Sequence, residues 1–140
     1  MRAQRQFAAS PRILCVDDRE HHTQLRKAFL EHSGCEVIAV LDARSALREL
    51  TGQGKFDLAL VDYHLGTTTN GADLARDNRT ILPTLPMIML TGDPTVPDSE
   101  KSTVDLWLIK GHNSPAELLA AIERLIPGKT LRRQPIKKVA

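Results

Sequence analysis

No apolar run in the chain approaches the roughly 20 residues that a helix needs to cross a bilayer, and no internal repeat or low-complexity tract is present. A membrane-spanning helical protein is not expected. Cysteine is scarce: Cys15 and Cys35 are the two in 140 residues, too few for a disulfide framework. Cys15 lies inside an apolar run and reads as a small core residue. No secretory signal pattern is evident, so a reducing, cytoplasmic location is expected. The histidines His21, His22, His32, His64 and His112 lack the spacing of a metal-ligand set, and solvated or packing roles suit them better. Acidic residues are missing from residue 127 onward, where Lys129, Arg132, Arg133, Lys137 and Lys138 stand. Residues 1–126 hold the other 14 basic and all 17 acidic groups, a balance of −3, beneath a whole-chain charge of +2. The chain as a whole is therefore no polyanion binder by charge alone. The basic end carries no aromatic or amphipathic pattern, which favours a solvated tail over a nucleic-acid or membrane contact.

What is present is a profile of a soluble globular protein, with 41% hydrophobic and 26% charged residues and a length that suits one domain with a real core. The expected organisation is an end at 1–10, a body at 11–126 and a basic tail at 127–140. A DNA-binding output domain is not expected in residues 127–140.

Five short apolar runs punctuate the body: Ile13–Val16, Val37–Val40, Leu58–Val61, Met87–Leu90 and Leu106–Ile109. They are continuous rather than alternating, as strands of a parallel sheet covered on both faces are. Helical patterns lie between them. Residues 20–32 place Leu25, Ala28 and Phe29 on one stripe. Asp42 is a candidate N-cap for a helix carrying Ala46, Leu47 and Leu50. Residues 72–82 place Leu74, Ala75 and Ile81 near one face. Ser114-Pro115-Ala116-Glu117 combines a capping box with proline at the first helical position. In residues 92–105, Pro94 and Pro97 break any long helix, leaving a short one near 98–104. The fold class is thus α/β, a doubly wound five-stranded parallel sheet of order 2-1-3-4-5 with helices on both faces and a short or irregular fourth helix.

Sites in such sheets lie outside the carboxyl ends of the strands. There strand one delivers Asp17 and Asp18, strand three Asp62, strand four Thr91 and strand five Lys110. Clustered carboxylates repel one another unless a cation intervenes, and a hard oxygen-seeking ion such as Mg2+ suits them. A carboxylate beside such an ion is a nucleophile for phosphorus. A lysine and a hydroxyl neutralise and orient the transferred oxygens.

These segments (ILCVDD, LALVD, MIMLTG and LWLIK) resemble the receiver domain of two-component response regulators over about residues 11–126. The resemblance implies a phosphorylated Asp62, with Mg2+ held by Asp17, Asp18, Asp62 and the His64 carbonyl. Thr91 and Lys110 would contact the phosphoryl group, and Thr91 with Trp107 would form the switch. Trp107 is also well placed for simple packing. The implied donor is a sensor histidine kinase or a histidine phosphotransfer protein. The implied role is a stand-alone signalling switch or phosphate relay that catalyses only its own aspartyl phosphorylation and dephosphorylation. A homodimer is a further candidate assembly; the downstream target is unspecified.

Several positions depart from the family pattern. Gly111 follows Lys110 where the family has a proline after a cis bond, so a trans bond or a rebuilt loop is expected. The loop at 63–71 lacks the usual proline and is one residue longer. His64 and Asp93, each two residues past a site residue, are candidates to influence the lifetime of the phosphorylated state. Two other readings stay open: a haloacid-dehalogenase-like phosphatase, whose nucleophile would normally end strand one, and a phosphorylation-independent interaction module.

Overall fold

Each of the five apolar runs forms a strand, because the three central ones are covered on both faces and bury nearly every side chain. The computed structural model describes residues 10–133 apart from residues 53, 67–69, 93–94 and 112–113. Asp93, Pro94, His112, the three threonines at 67–69, most of the 1–10 end, and Lys137 and Lys138 lie outside the described residues. In chain order the elements are β1 (Arg12–Val16), α1 (Glu20–His32), β2 (Glu36–Val40), α2 (Ala43–Leu50), β3 (Leu58–Asp62), α3 (Gly71–Ile81), β4 (Met87–Thr91), α4 (Asp98–Lys101), β5 (Leu106–Ile109) and α5 (Pro115–Leu125). All strand pairs are parallel, in the order β2-β1-β3-β4-β5. The expected doubly wound fold is what forms.

The period of two along each strand divides the core. Ile13, Cys15, Leu58, Leu60, Ile88, Leu90 and Leu108 pack with Leu30 of α1 and Leu119 and Ile122 of α5. Leu14, Val16, Ala59, Val61, Met87 and Met89 pack with Ala46 and Leu50 of α2 and Leu74 and Ala75 of α3. No helix of the described residues is long and apolar enough to cross a membrane.

Helix starts follow local chemistry. The Asp42 carboxylate accepts from the Ser45 N–H at 2.7 Å. Ser114 and Glu117 complete the expected capping box at α5. A second capping box, formed by Asn70 and Asp73, starts α3. Between Pro97 and Ser102 the chain makes one helical stretch of four residues, as the prolines require.

Two expectations need correction. The stripe proposed for α1 is only in part its inner face: Phe29 packs against the core, but Ala28 is exposed and Leu25 is 59% exposed, while Thr23 and Leu30 are buried. The helix is rotated because Thr23 has carbonyl partners at the sheet edge, so its hydroxyl costs little to bury. The packed chain also continues past residue 126. Leu131 is 4% exposed and joins the α1/α5 core. The Arg132 N–H reaches the Ser33 carbonyl at 2.8 Å, and Glu123 receives the Leu131 N–H at 2.7 Å and the Arg133 guanidinium at 2.8 Å.

Candidate functional site

Chain order reverses between β1 and β3, and this is where an open α/β sheet leaves its crevice. Val16 pairs with Val61, so the next residues, Asp17 and Asp62, stand side by side at the carboxyl edge. Beyond the strand ladder, Tyr63 N–H donates to Leu90 O and Lys110 N–H donates to Thr91 O, each at 2.7 Å. These bonds carry the sheet's alignment one residue further and fix the backbones of the site.

Strand alternation sorts the side chains. Asp17, Asp62 and Lys110 share the parity of the residues packed beneath α1 and α5. Thr91 shares that of Met89 and Trp107, on the opposite face. Carboxylate oxygens of Asp17, Asp18 and Asp62 lie within 4.8 Å of one another. Asp17 and Asp62 are buried and Asp18 is exposed. Lys110 Nζ lies 3.2 Å from Asp62 Oδ2 and 3.6 Å from Asp17 Oδ2.

The two buried carboxyls diverge in proton affinity. Burial, together with the charge of Asp17, raises that of Asp62 against the opposing pull of Lys110 and the His64 N–H. Burial also acts upward on Asp17, but the Arg19 N–H, Arg26 and Lys110 outweigh it and hold its carboxyl below the ordinary range. Asp17 is therefore the firmly ionised member of the pair.

The response regulator receiver domain model matches residues 13–123. The chain belongs to this family. The receiver fold superposes on a receiver domain from Clostridium thermocellum with a TM-score of 0.76, at 27% identity over 83% of this chain and 94% of that one. A CheY-like receiver from Methanospirillum hungatei JF-1 gives 0.73, at 30% identity over 83% and 94%. The response regulator TrrA of Thermotoga maritima, solved with Mg2+ and BeF, gives 0.74, at 25% identity over 82% and 98%. A 56-residue stretch is 39% identical to the sensor protein GacS of Pseudomonas syringae pv. syringae; it covers 40% of this chain and 6% of that protein. Aspartyl phosphorylation and Mg2+ binding in an acidic pocket are general to receiver domains.

The donor set fits that ion: three carboxylates and no softer ligand, close enough for one ion to touch several. The structure brings Asp17, Asp18, Asp62 and Lys110 together, with Thr91 buried at the neighbouring strand end. His64 is exposed and bridges to Asn70 across the base of the loop. Gly111 adopts φ +83°, and no cis bond occurs among the described residues; the family's proline turn is here a left-handed glycine turn.

Trp107 is partly buried. Its Nε1–H donates to the Lys101 carbonyl at 2.8 Å, and its ring centroid lies 5.8 Å from that of Tyr63. The Tyr63 hydroxyl hydrogen-bonds Glu100. The short α4 is thus tied to the residue after Asp62 and to the ring on β5.

Sequence reasoning missed Arg26, Tyr63, Glu100 and Gly71. For Arg26 a signal existed: it lies three residues after Thr23 and four before Leu30, on their face of the helix. A Cβ on Gly71 would stand 2.6 Å from the Asp62 carbonyl oxygen and 2.5 Å from Met89 Sδ. The position after the loop accepts glycine because α3 starts directly against the acceptor strand.

Proposed function

We propose that this receiver domain takes a phosphoryl group onto Asp62 and works as a signalling switch or phosphate relay. The observation that carries the proposal is the Lys110 ammonium held between the buried carboxylates of Asp62 and Asp17. Asp62 is the nucleophile: its carboxylate oxygen attacks phosphorus, and the donor's leaving group departs on the far side. Lys110 neutralises charge on the transferred oxygens. Thr91 supplies a hydroxyl from the adjacent strand end. Asp17, Asp18, Asp62 and the His64 carbonyl would hold Mg2+, which when bound supplies charge neutralisation for the same oxygens.

A sensor histidine kinase or a histidine phosphotransfer protein is the proposed donor, consistent with the partial likeness to GacS. Thr91 and Trp107 are the proposed switch. Support comes from their common face and from the bond of Trp107 to the end of α4. Catalysis is limited to the domain's own phosphorylation and dephosphorylation. Intact-mass spectrometry after incubation with acetyl phosphate and Mg2+ tests the reading. One phosphoryl group should add to the wild-type chain and none to Asp62→Asn; an equal gain in both would overturn it.

A further inference from the structure

An arginine occupies a place on α1 that helices ordinarily give to an apolar side chain. Thr23, Arg26 and Leu30 follow at spacings of three and four, so they share one face. Thr23 and Leu30 are buried, and the Arg26 side chain is 16% exposed. The Thr23 hydroxyl is engaged with the Asp17 and Arg19 carbonyls at 3.0 and 2.9 Å. An inward guanidinium is costly unless it is paired. Its partner is Asp17: Arg26 Nη1 donates to Oδ2 at 3.1 Å.

That bond leaves Asp17 with both oxygens engaged. Oδ1 accepts the Arg19 N–H at 2.9 Å, and Oδ2 faces Arg26 and, at 3.6 Å, Lys110. A divalent ion that reaches Asp17 Oδ2 directly shares that oxygen with the Arg26 guanidinium, and one on Oδ1 stands beside the same positive charge. The site has three carboxylates and one lysine without Arg26, and a second cation with it. Affinity for a hard divalent ion follows the charge of its ligand set, and a nearby cation opposes it.

We propose that Arg26 is a resident counter-ion of the acidic site, competing with Mg2+ for Asp17 and thereby setting the affinity of the domain for the ion. The inference rests on the reading that Asp17, Asp18 and Asp62 hold Mg2+. It makes Arg26 a tuning residue that acts through Asp17, outside the reacting groups.

The test is calorimetric titration of the full chain with Mg2+ alone, for wild type, Arg26→Met, Arg26→Gln and Arg26→Lys. The two neutral variants should bind up to about fivefold more tightly, the scale of one ion pair, and Arg26→Lys should stay near wild type. Should Arg26→Met lose its folded circular dichroism, Arg26→Gln carries the comparison. In the wild-type chain, Mg2+ saturation should also shift the Arg26 Nε–H resonance. Saturable binding with equal or weaker affinity in the neutral variants, or an unshifted resonance, overturns this inference and leaves the metal reading standing. No saturable binding in any of the proteins overturns both.

Discussion

Lys110 Nζ lies 3.2 Å from Asp62 Oδ2, close enough for a charged hydrogen bond between the last residue of β3 and the first after β5. The same ammonium is the counter-charge that lets Asp62 and Asp17 be buried beside each other. Lys110→Met should therefore lower phosphoryl acceptance by about a hundredfold and cost ~2 kcal/mol of stability, since it leaves the buried Asp62 carboxylate without its cation while Asp17 keeps Arg26. Asp62 already binds its proton more tightly in the folded state than an ordinary carboxyl, for burial and the charge of Asp17 disfavour ionisation. Its contribution to stability thus falls as pH rises from the unfolded carboxyl value through the raised folded one. Losing Lys110 should steepen that fall. Chemical denaturation across pH checks this, and adding Asp62→Asn to Lys110→Met should recover most of the loss.

Gly71 joins α3 to the acceptor strand. Its N–H donates to the Tyr63 carbonyl at 2.6 Å, and its missing Cβ makes room for the Asp62 carbonyl. Gly71→Ala should cost about 2–3 kcal/mol, as overpacking against backbone does. Because the displaced atom belongs to Asp62, acceptance of phosphoryl groups should fall further than the folded fraction does. Measuring both on one preparation separates the effects.

The segment after α5 is held by the Leu131 side chain, the Glu123 carboxylate and the Ser33 carbonyl. Leu131→Ala should destabilise the whole domain by about 2–3 kcal/mol; a thermal midpoint matching wild type would show that the segment does not belong to the packed body. The Arg133 guanidinium and the Leu131 N–H hold the Glu123 carboxyl below its usual range. The stabilisation is complete above the unfolded carboxyl value and is lost as pH falls through the lowered folded one. Protection of the Leu131 amide, its exchange taken relative to the intrinsic rate at each pH, should fall in acid accordingly, and Glu123→Gln should flatten that dependence.

Burial pushes the Cys15 thiol up to about 12 and the Cys35 thiol up to about 11. At pH 8 almost no thiolate is present and both residues are buried, so a thiol reagent should modify the native chain slowly and both cysteines at once on unfolding. Fast labelling of the native protein would contradict the packing around β1.

The sheet and most of the site were legible in the sequence for one physical reason. Parallel strands buried on both faces read as unbroken apolar runs, and their carboxyl ends converge, so Asp17, Asp62, Thr91 and Lys110 could be gathered from spacing alone. The four-residue α4 was legible because Pro94 and Pro97 leave little room for more. The inner face of α1 was legible only at Phe29; Leu25 and Ala28, which make an apolar stripe with it, face outward. Thr23 and Arg26 turn inward instead because Asp17, just past β1, satisfies both, through its carbonyl and its carboxylate, with the Arg19 carbonyl at the helix N-cap as a further partner of Thr23. Leu131 gave no periodic signal after Pro127-Gly128; its burial depends on Ser33 and Glu123, remote in sequence. Gly71 reads as an ordinary loop glycine until the Asp62 carbonyl is seen against it.

Reduction by borohydride after incubation with acetyl phosphate and Mg2+ tests the central claim most directly, for it converts an aspartyl phosphate into homoserine at the residue that carried it. Peptide mass spectrometry should find homoserine at position 62. Homoserine at another carboxylate, or unmodified Asp62 in a chain that has gained a phosphoryl group, would contradict the assignment of Asp62 as the acceptor.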